Sequence, residues 1–176
     1  MTEAPRSGGN TGVPAAGDTP AAALITALAA ESLTLAAAES CTAGLVADRI
    51  ARVPGASRVF WGSFVTYSID AKVKLLGIER ELIDRCGAVS RETACAMADG
   101  ALEKSGAHVA VSVTGLAGPD GDGSGQPVGT VWIGFARQGF SAEALCRHYD
   151  GDRSAIRNAA AGDAISILLN RLTLAE

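Results

Sequence analysis

Ser40 and Thr42 flank Cys41 in the run Glu39-Ser40-Cys41-Thr42-Ala43-Gly44, where a short apolar stretch gives way to a helical pattern. Such a junction presents backbone N–H groups and the positive end of a helix dipole, which suit an oxyanion or a phosphate. Ser-x-Thr ahead of a helix is equally ordinary capping chemistry, and the sequence leaves both readings open. Cys41 is a rival nucleophile, because a helix N-terminus lowers a thiol pKa. Further on, Tyr67 and Lys72 bracket the end of a β-rich run and the start of a helix. Lysine occurs only at positions 72, 74 and 104. A desolvated lysine can take the proton of a serine and a tyrosine can relay it, whereas a solvated Lys72 would do neither.

The stretch from Thr114-Gly115-Leu116-Ala117-Gly118-Pro119 to Gly129 is dense in glycine. Such a loop lets backbone approach a ligand closely, and it is also what a flexible turn looks like. Asp120, Asp122 and Ser124 imitate the front of a calcium loop, but Val131 stands where the bidentate Glu belongs, so calcium is rejected. Neither the P-loop nor the dinucleotide glycine pattern is present. Arg153 and Arg157 follow the capping residue Asp152 into the last helix, where positive charge opposes the dipole. Their partner is a phosphate, a carboxylate or water. His108 and His148 lack metal-ligand spacing, and nothing supports a triad through His148.

These residues must be carried by one domain, since 176 residues suit a single core. With 48% hydrophobic and 19% charged residues the chain is globular, and with 5% aromatics its core is aliphatic. A formal charge of −4 argues against nucleic acid as a partner. Four cysteines without a CxxC pair, no basic-then-apolar leader and no span-length apolar run point to a cytoplasmic protein away from membranes. Residues 1–19 read as a mobile tail and 20–176 as the domain. Helices are expected at 20–32, 42–52, 71–76, 79–86, 91–105 and 154–172, and strands at 33–38, 58–67, 108–114, 130–136 and 143–149. Strands separated by helices early and adjacent strands late predict an α/β fold, a three-layer α/β/α sandwich with a mixed sheet.

Six segments together carry a resemblance: Ala38 to Gly44, Tyr67-Ser68 with Lys72, Gly87-Ala88-Val89-Ser90, Thr114 to Pro119, Pro127-Val128-Gly129-Thr130-Val131 and Gly151-Asp152-Arg153. In order and spacing they resemble the CinA carboxy-terminal domain family, from about residue 20 to the end. That family is known as the nicotinamide-nucleotide amidase, or deamidase, which hydrolyses the carboxamide of nicotinamide mononucleotide to nicotinate mononucleotide and ammonia. The resemblance implies a Ser40 nucleophile activated by Tyr67 and Lys72. It implies substrate contacts from Thr42, Ala43, Gly44, Thr114, Gly115 and Gly118, and a phosphate at Arg153 that Arg157 shares. It also implies a pyridine mononucleotide as the small-molecule partner, no metal or cofactor, and a stand-alone homo-oligomer, a dimer. Departures from the family pattern are Ser63-Phe64 in place of two small residues, Ile69 in place of Asn and Asp70 in place of Glu. The alternatives are a catalytically inert nucleotide-binding or regulatory module and an amidase for another small phosphorylated amide.

Overall fold

The computed structural model describes residues 19–173, so the tail expected over residues 1–19 lies outside the described residues except for Thr19, which belongs to the domain as the N-cap of its first helix, accepting from Ala22 N–H at 3.2 Å. One sheet contains β1 (Leu35–Glu39), β2 (Phe60–Val65), β3 (Val109–Gly115), β4 (Thr130–Arg137) and β5 (Glu143–His148), in the order β2-β1-β3-β4-β5. The first three run parallel, while β4 and β5 are antiparallel to their neighbours. α1 (Pro20–Ala30), α2 (Leu45–Ala51) and α6 (Arg153–Thr173) cover one face. α3 (Ile69–Leu76), α4 (Arg80–Cys86) and α5 (Arg91–Ser105) cover the other. This is the expected three-layer α/β/α sandwich with a mixed sheet. Among the described residues no helix is long and apolar enough to cross a membrane.

The two faces are packed differently, because side chains alternate across a strand. Leu35, Ala37, Val109, Val111, Val113, Val131 and Ile133 meet Leu24, Leu28, Ile156 and Leu168 in an aliphatic core. On the opposite face β1 and β3 offer Ala36, Ala38 and Ala110 to Met97, Ala98 and Ala101. Small side chains there let α5 lie close to the sheet. A Cβ on Gly134 would strike the carbonyl oxygen of Ala94, and Ser112 Oγ donates to that same carbonyl at 2.6 Å.

Strand order places the site. β1 lies between β2 and β3, so the chain leaves β1 in one direction across the sheet and then returns past it in the other. Right-handed crossovers in opposite directions put α2 on one face and α3–α5 on the other, which opens a crevice at the carboxyl end of β1. Ser40 follows β1 at that crevice. The helix expected from residue 42 starts only at Leu45, because Ala43 and Gly44 take left-handed φ angles of 49° and 99° that no right-handed helix accommodates. Residues 40–44 are therefore a largely buried turn rather than a first helical turn.

Candidate active site

Alternation along β1 sends two neighbouring polar side chains to opposite faces. Glu39, wholly buried, turns towards α2. Its Oε2 accepts from the backbone N–H of Gly44 at 2.8 Å and of Val46 at 3.1 Å. Its Oε1 accepts from Ala47 N–H at 3.0 Å and from Ser63 Oγ at 2.9 Å. The amides that the sequence offered to a ligand at the start of α2 are thus already taken by a carboxylate of the same chain. Sequence reasoning missed Glu39, although a carboxylate closing an apolar strand was a signal. Glu39→Ala leaves four donors without their acceptor in a dry setting, and we expect a loss of about 2–4 kcal/mol in urea unfolding, against a smaller loss for Glu39→Gln.

Ser40 turns the other way, to α3. Lys72 Nζ lies 2.8 Å from Ser40 Oγ and donates to the carbonyl oxygen of Thr66 at 2.9 Å. The solvated alternative is gone, since Lys72 is 1% exposed. Ser68 caps α3 by accepting from Ala71 N–H at 3.1 Å, which sets the helical phase that points Lys72 inward. Burial pulls its ammonium down from 10.5 to about 8, with no carboxylate against it to oppose the shift. Burial acts oppositely on Cys41, whose thiol is pushed up to about 11. The amine is thereby brought towards the range of a working base, and the thiol is taken out of the range of a nucleophile.

Tyr67 shares the cleft with Ser40 and Lys72 but bonds to neither. It is 56% exposed, and its Oη accepts from Arg153 Nη2 at 2.6 Å, while Arg153 Nη1 donates to the carbonyl of Gly118 at 2.6 Å. Arg153 therefore straps the exit of β2 to the Gly-rich loop. Asp152 caps α6 as expected, accepting from Ala155 N–H at 2.8 Å. Arg157, expected beside Arg153 at a phosphate, has Nε and Nη2 bound to the carbonyls of Cys41 and Thr42 at 2.8 and 2.9 Å. Its placement is that of a brace under the turn that follows β1. Thr42 is buried with its Oγ1 unpartnered.

The remaining wall comes from β3 and the loop after it. Thr114 is buried and donates to the carbonyl of Ala88 at 2.7 Å, and Gln126 Nε2 donates to the carbonyl of Val89 at 2.8 Å. Gly115 must lack a side chain, because a Cβ there would lie 2.6 Å from Val131 Cγ2. The cleft, half open to solvent, is about 210 Å³ and is lined by Ser40, Tyr67, Lys72, Thr114, Ala117 and Arg153 among others. A larger groove of about 680 Å³ between α1, α2 and α6 is lined by none of the expected site residues. Neither histidine reaches Ser40: His108 Nδ1 is 2.8 Å from Thr34 Oγ1, and His148 Nδ1 is 3.3 Å from Thr130 Oγ1.

The model of the CinA C-terminal domain matches residues 18–172. The chain belongs to that family. Among CinA relatives, a CinA-like protein of Akkermansia muciniphila is 46% identical over 148 residues, covering 84% of this chain and 36% of the relative. The chain thus spans about a third of the length of that relative. A protein of Enterobacter agglomerans named nicotinamide-nucleotide amidohydrolase PncC is 46% identical over 135 residues, covering 77% of this chain and 82% of its own length. The crystal structure of the competence damage-inducible protein A (ComA) of Klebsiella pneumoniae is 30% identical with a TM-score of 0.86 over 89% of this chain and 97% of that one.

Proposed function

We propose that this chain hydrolyses the carboxamide of nicotinamide mononucleotide to nicotinate mononucleotide and ammonia, with Ser40 as nucleophile and Lys72 as its base. The observation that carries the reading is the buried Ser40–Lys72 pair at 2.8 Å, in which the serine faces an amine instead of a histidine. The substrate is taken from the PncC relative, whose length this chain matches far better than that of the longer relatives.

Neutral Lys72 accepts the hydroxyl proton while its own N–H stays on the Thr66 carbonyl, which orients the lone pair. Ser40 Oγ bonds to the carboxamide carbon. The developing oxyanion draws on backbone N–H groups, and those of Cys41 and Thr42 have no acceptor within the described residues. The C–N bond then breaks, Lys72 returns its proton to the nitrogen, and ammonia leaves. Water attacks the resulting ester, gives its proton to Lys72 and releases the acid, after which the proton passes back to Ser40. Arg153 meets the phosphate at the mouth of the cleft.

Ammonia release from nicotinamide mononucleotide by the purified protein tests the reading directly. Binding without release would put an inert nucleotide-binding module in its place. The mechanism calls on no metal, and among the described residues no three His, Cys, Asp or Glu side chains are grouped to hold one. Activity should accordingly be unchanged after dialysis against EDTA, and a loss restored by a divalent cation would displace the serine mechanism.

A further inference from the structure

The strap across the cleft has the composition of a latch. Arg153 spends both terminal nitrogens on neutral acceptors, one on the Gly118 carbonyl and one on the Tyr67 phenol, each at 2.6 Å. Tyr67 lines the cleft that holds Ser40 and Lys72 and is exposed, and half-buried Gly118 follows the lining residue Ala117. A guanidinium binds a phosphate dianion through two parallel charge-assisted hydrogen bonds, roughly twice as strong as bonds to neutral oxygen. An end-on grip through Nη1 and Nη2 competes with these bonds, because those are the nitrogens now holding the loop and the phenol.

We propose that the Arg153–Tyr67 bond is a latch that a substrate phosphate opens, so that the phosphate frees Tyr67 to turn towards Ser40 and Lys72 as well as anchoring the ligand. The proposal rests on the amidase reading for its chemistry but not for the latch itself. It explains why Tyr67, whose phenol suits proton relay, is 56% exposed and bonded to Arg153 rather than to Ser40 or Lys72. Tyr67 leaves the end of β2 one residue after Thr66, whose carbonyl holds Lys72. Tyr67 already lines the cleft of Ser40 and Lys72, so the motion the latch calls for is a turn of its side chain within that cleft, beside a backbone anchored by Lys72. The recognised chemistry is a small phosphorylated compound whose reacting amide lies at the floor of the cleft and whose dianion reaches its rim. A phosphate-free analogue would then meet a latched site.

A passive phosphate clamp and a latch differ in sign. Removing a passive clamp leaves a phosphate-free substrate untouched, whereas removing a latch improves it. Two measurements separate them. By calorimetry, ribose 5-phosphate, which has no amide, should bind Tyr67→Phe about three- to tenfold more tightly than wild type, because the phenol no longer competes, and should fail to bind Arg153→Ala. In turnover, Arg153→Ala should hydrolyse nicotinamide riboside about three- to tenfold faster than wild type, by the worth of the same bond, while losing nicotinamide mononucleotide. The gain should vanish in the double variant with Tyr67→Phe. Equal affinity of wild type and Tyr67→Phe for ribose 5-phosphate overturns the latch, as does riboside turnover that is unchanged or lower in Arg153→Ala. Tighter binding by Tyr67→Phe, with wild-type protein that releases no ammonia from the mononucleotide, upholds the latch and sinks the amidase reading.

Discussion

Lys72→Met should abolish ammonia release and, at neutral pH, make the protein harder to unfold. The loss of turnover follows from removing the base that faces Ser40, and is expected to exceed about a thousandfold. The gain in stability follows from linkage. The unfolded chain holds the Lys72 proton up to its ordinary 10.5, while the folded chain releases it at about 8. Between those values the unfolded state binds more protons, so folding stability rises with pH across that window. Below about 8 the buried ammonium carries its full penalty, about 3 kcal/mol from the gap between the two values. Methionine removes that penalty but strands the Thr66 carbonyl and the Ser40 hydroxyl, at about 1 kcal/mol each. The variant should therefore gain about 1 kcal/mol at pH 7 in urea unfolding and become the less stable protein above about pH 9. A variant less stable at pH 7 would show that Lys72 is held as a favourable cation, with the base elsewhere. For wild type the same titration predicts that kcat/KM rises with pH and levels off above about 8, since only the neutral amine accepts the serine proton. Lys72→Arg should be as inactive as Lys72→Met, because a guanidinium keeps its proton.

The elements were legible because their signals are local. The strands expected at 33–38 and 108–114 fall on β1 and β3, and the helix expected at 91–105 has the bounds of α5. Ser40 and Lys72 were legible as candidates for the same reason: each stands at a strand end that an open α/β sheet turns into a crevice. What the sequence withheld depends on contacts between distant segments. Nothing in the spacing of Glu39 says that its carboxylate reaches forward to Gly44, Val46 and Ala47 and sideways to Ser63. Arg153 and Arg157 are one helical turn apart and look equivalent, yet one faces the rim and the other the carbonyls of Cys41 and Thr42. That division is set by how α6 crosses the turn after β1, which no pattern in the chain records. Tyr67 was read as a partner of Lys72 from their separation along the chain, whereas its bond is to Arg153 on the last helix.

Ser40→Ala should reduce turnover of nicotinamide mononucleotide by at least about ten-thousandfold while leaving its binding within a few fold of wild type. A nucleophile and its base act as one unit, so losing the hydroxyl forfeits the contribution of Lys72 as well. Binding survives because the rim, the Gly-rich loop and the turn amides are built from backbone and from residues that Ser40 does not hold. Its one side-chain bond is to Lys72, which keeps the Thr66 carbonyl. The matching control is Cys41→Ala, which should retain most of the activity. With a thiol pushed up to about 11, only about one molecule in ten thousand carries a thiolate at pH 7. The side chain is 5% exposed and sits in the aliphatic core beside Val46 and Ala117, so its role there is to fill space. Its removal should cost about 1 kcal/mol of stability and little turnover. Activity that vanished in Cys41→Ala and persisted in Ser40→Ala would move the acyl-enzyme to sulfur. Lys72 would then serve as the cation that draws out a thiolate, and kcat/KM would fall as pH rises through about 8 instead of reaching a plateau.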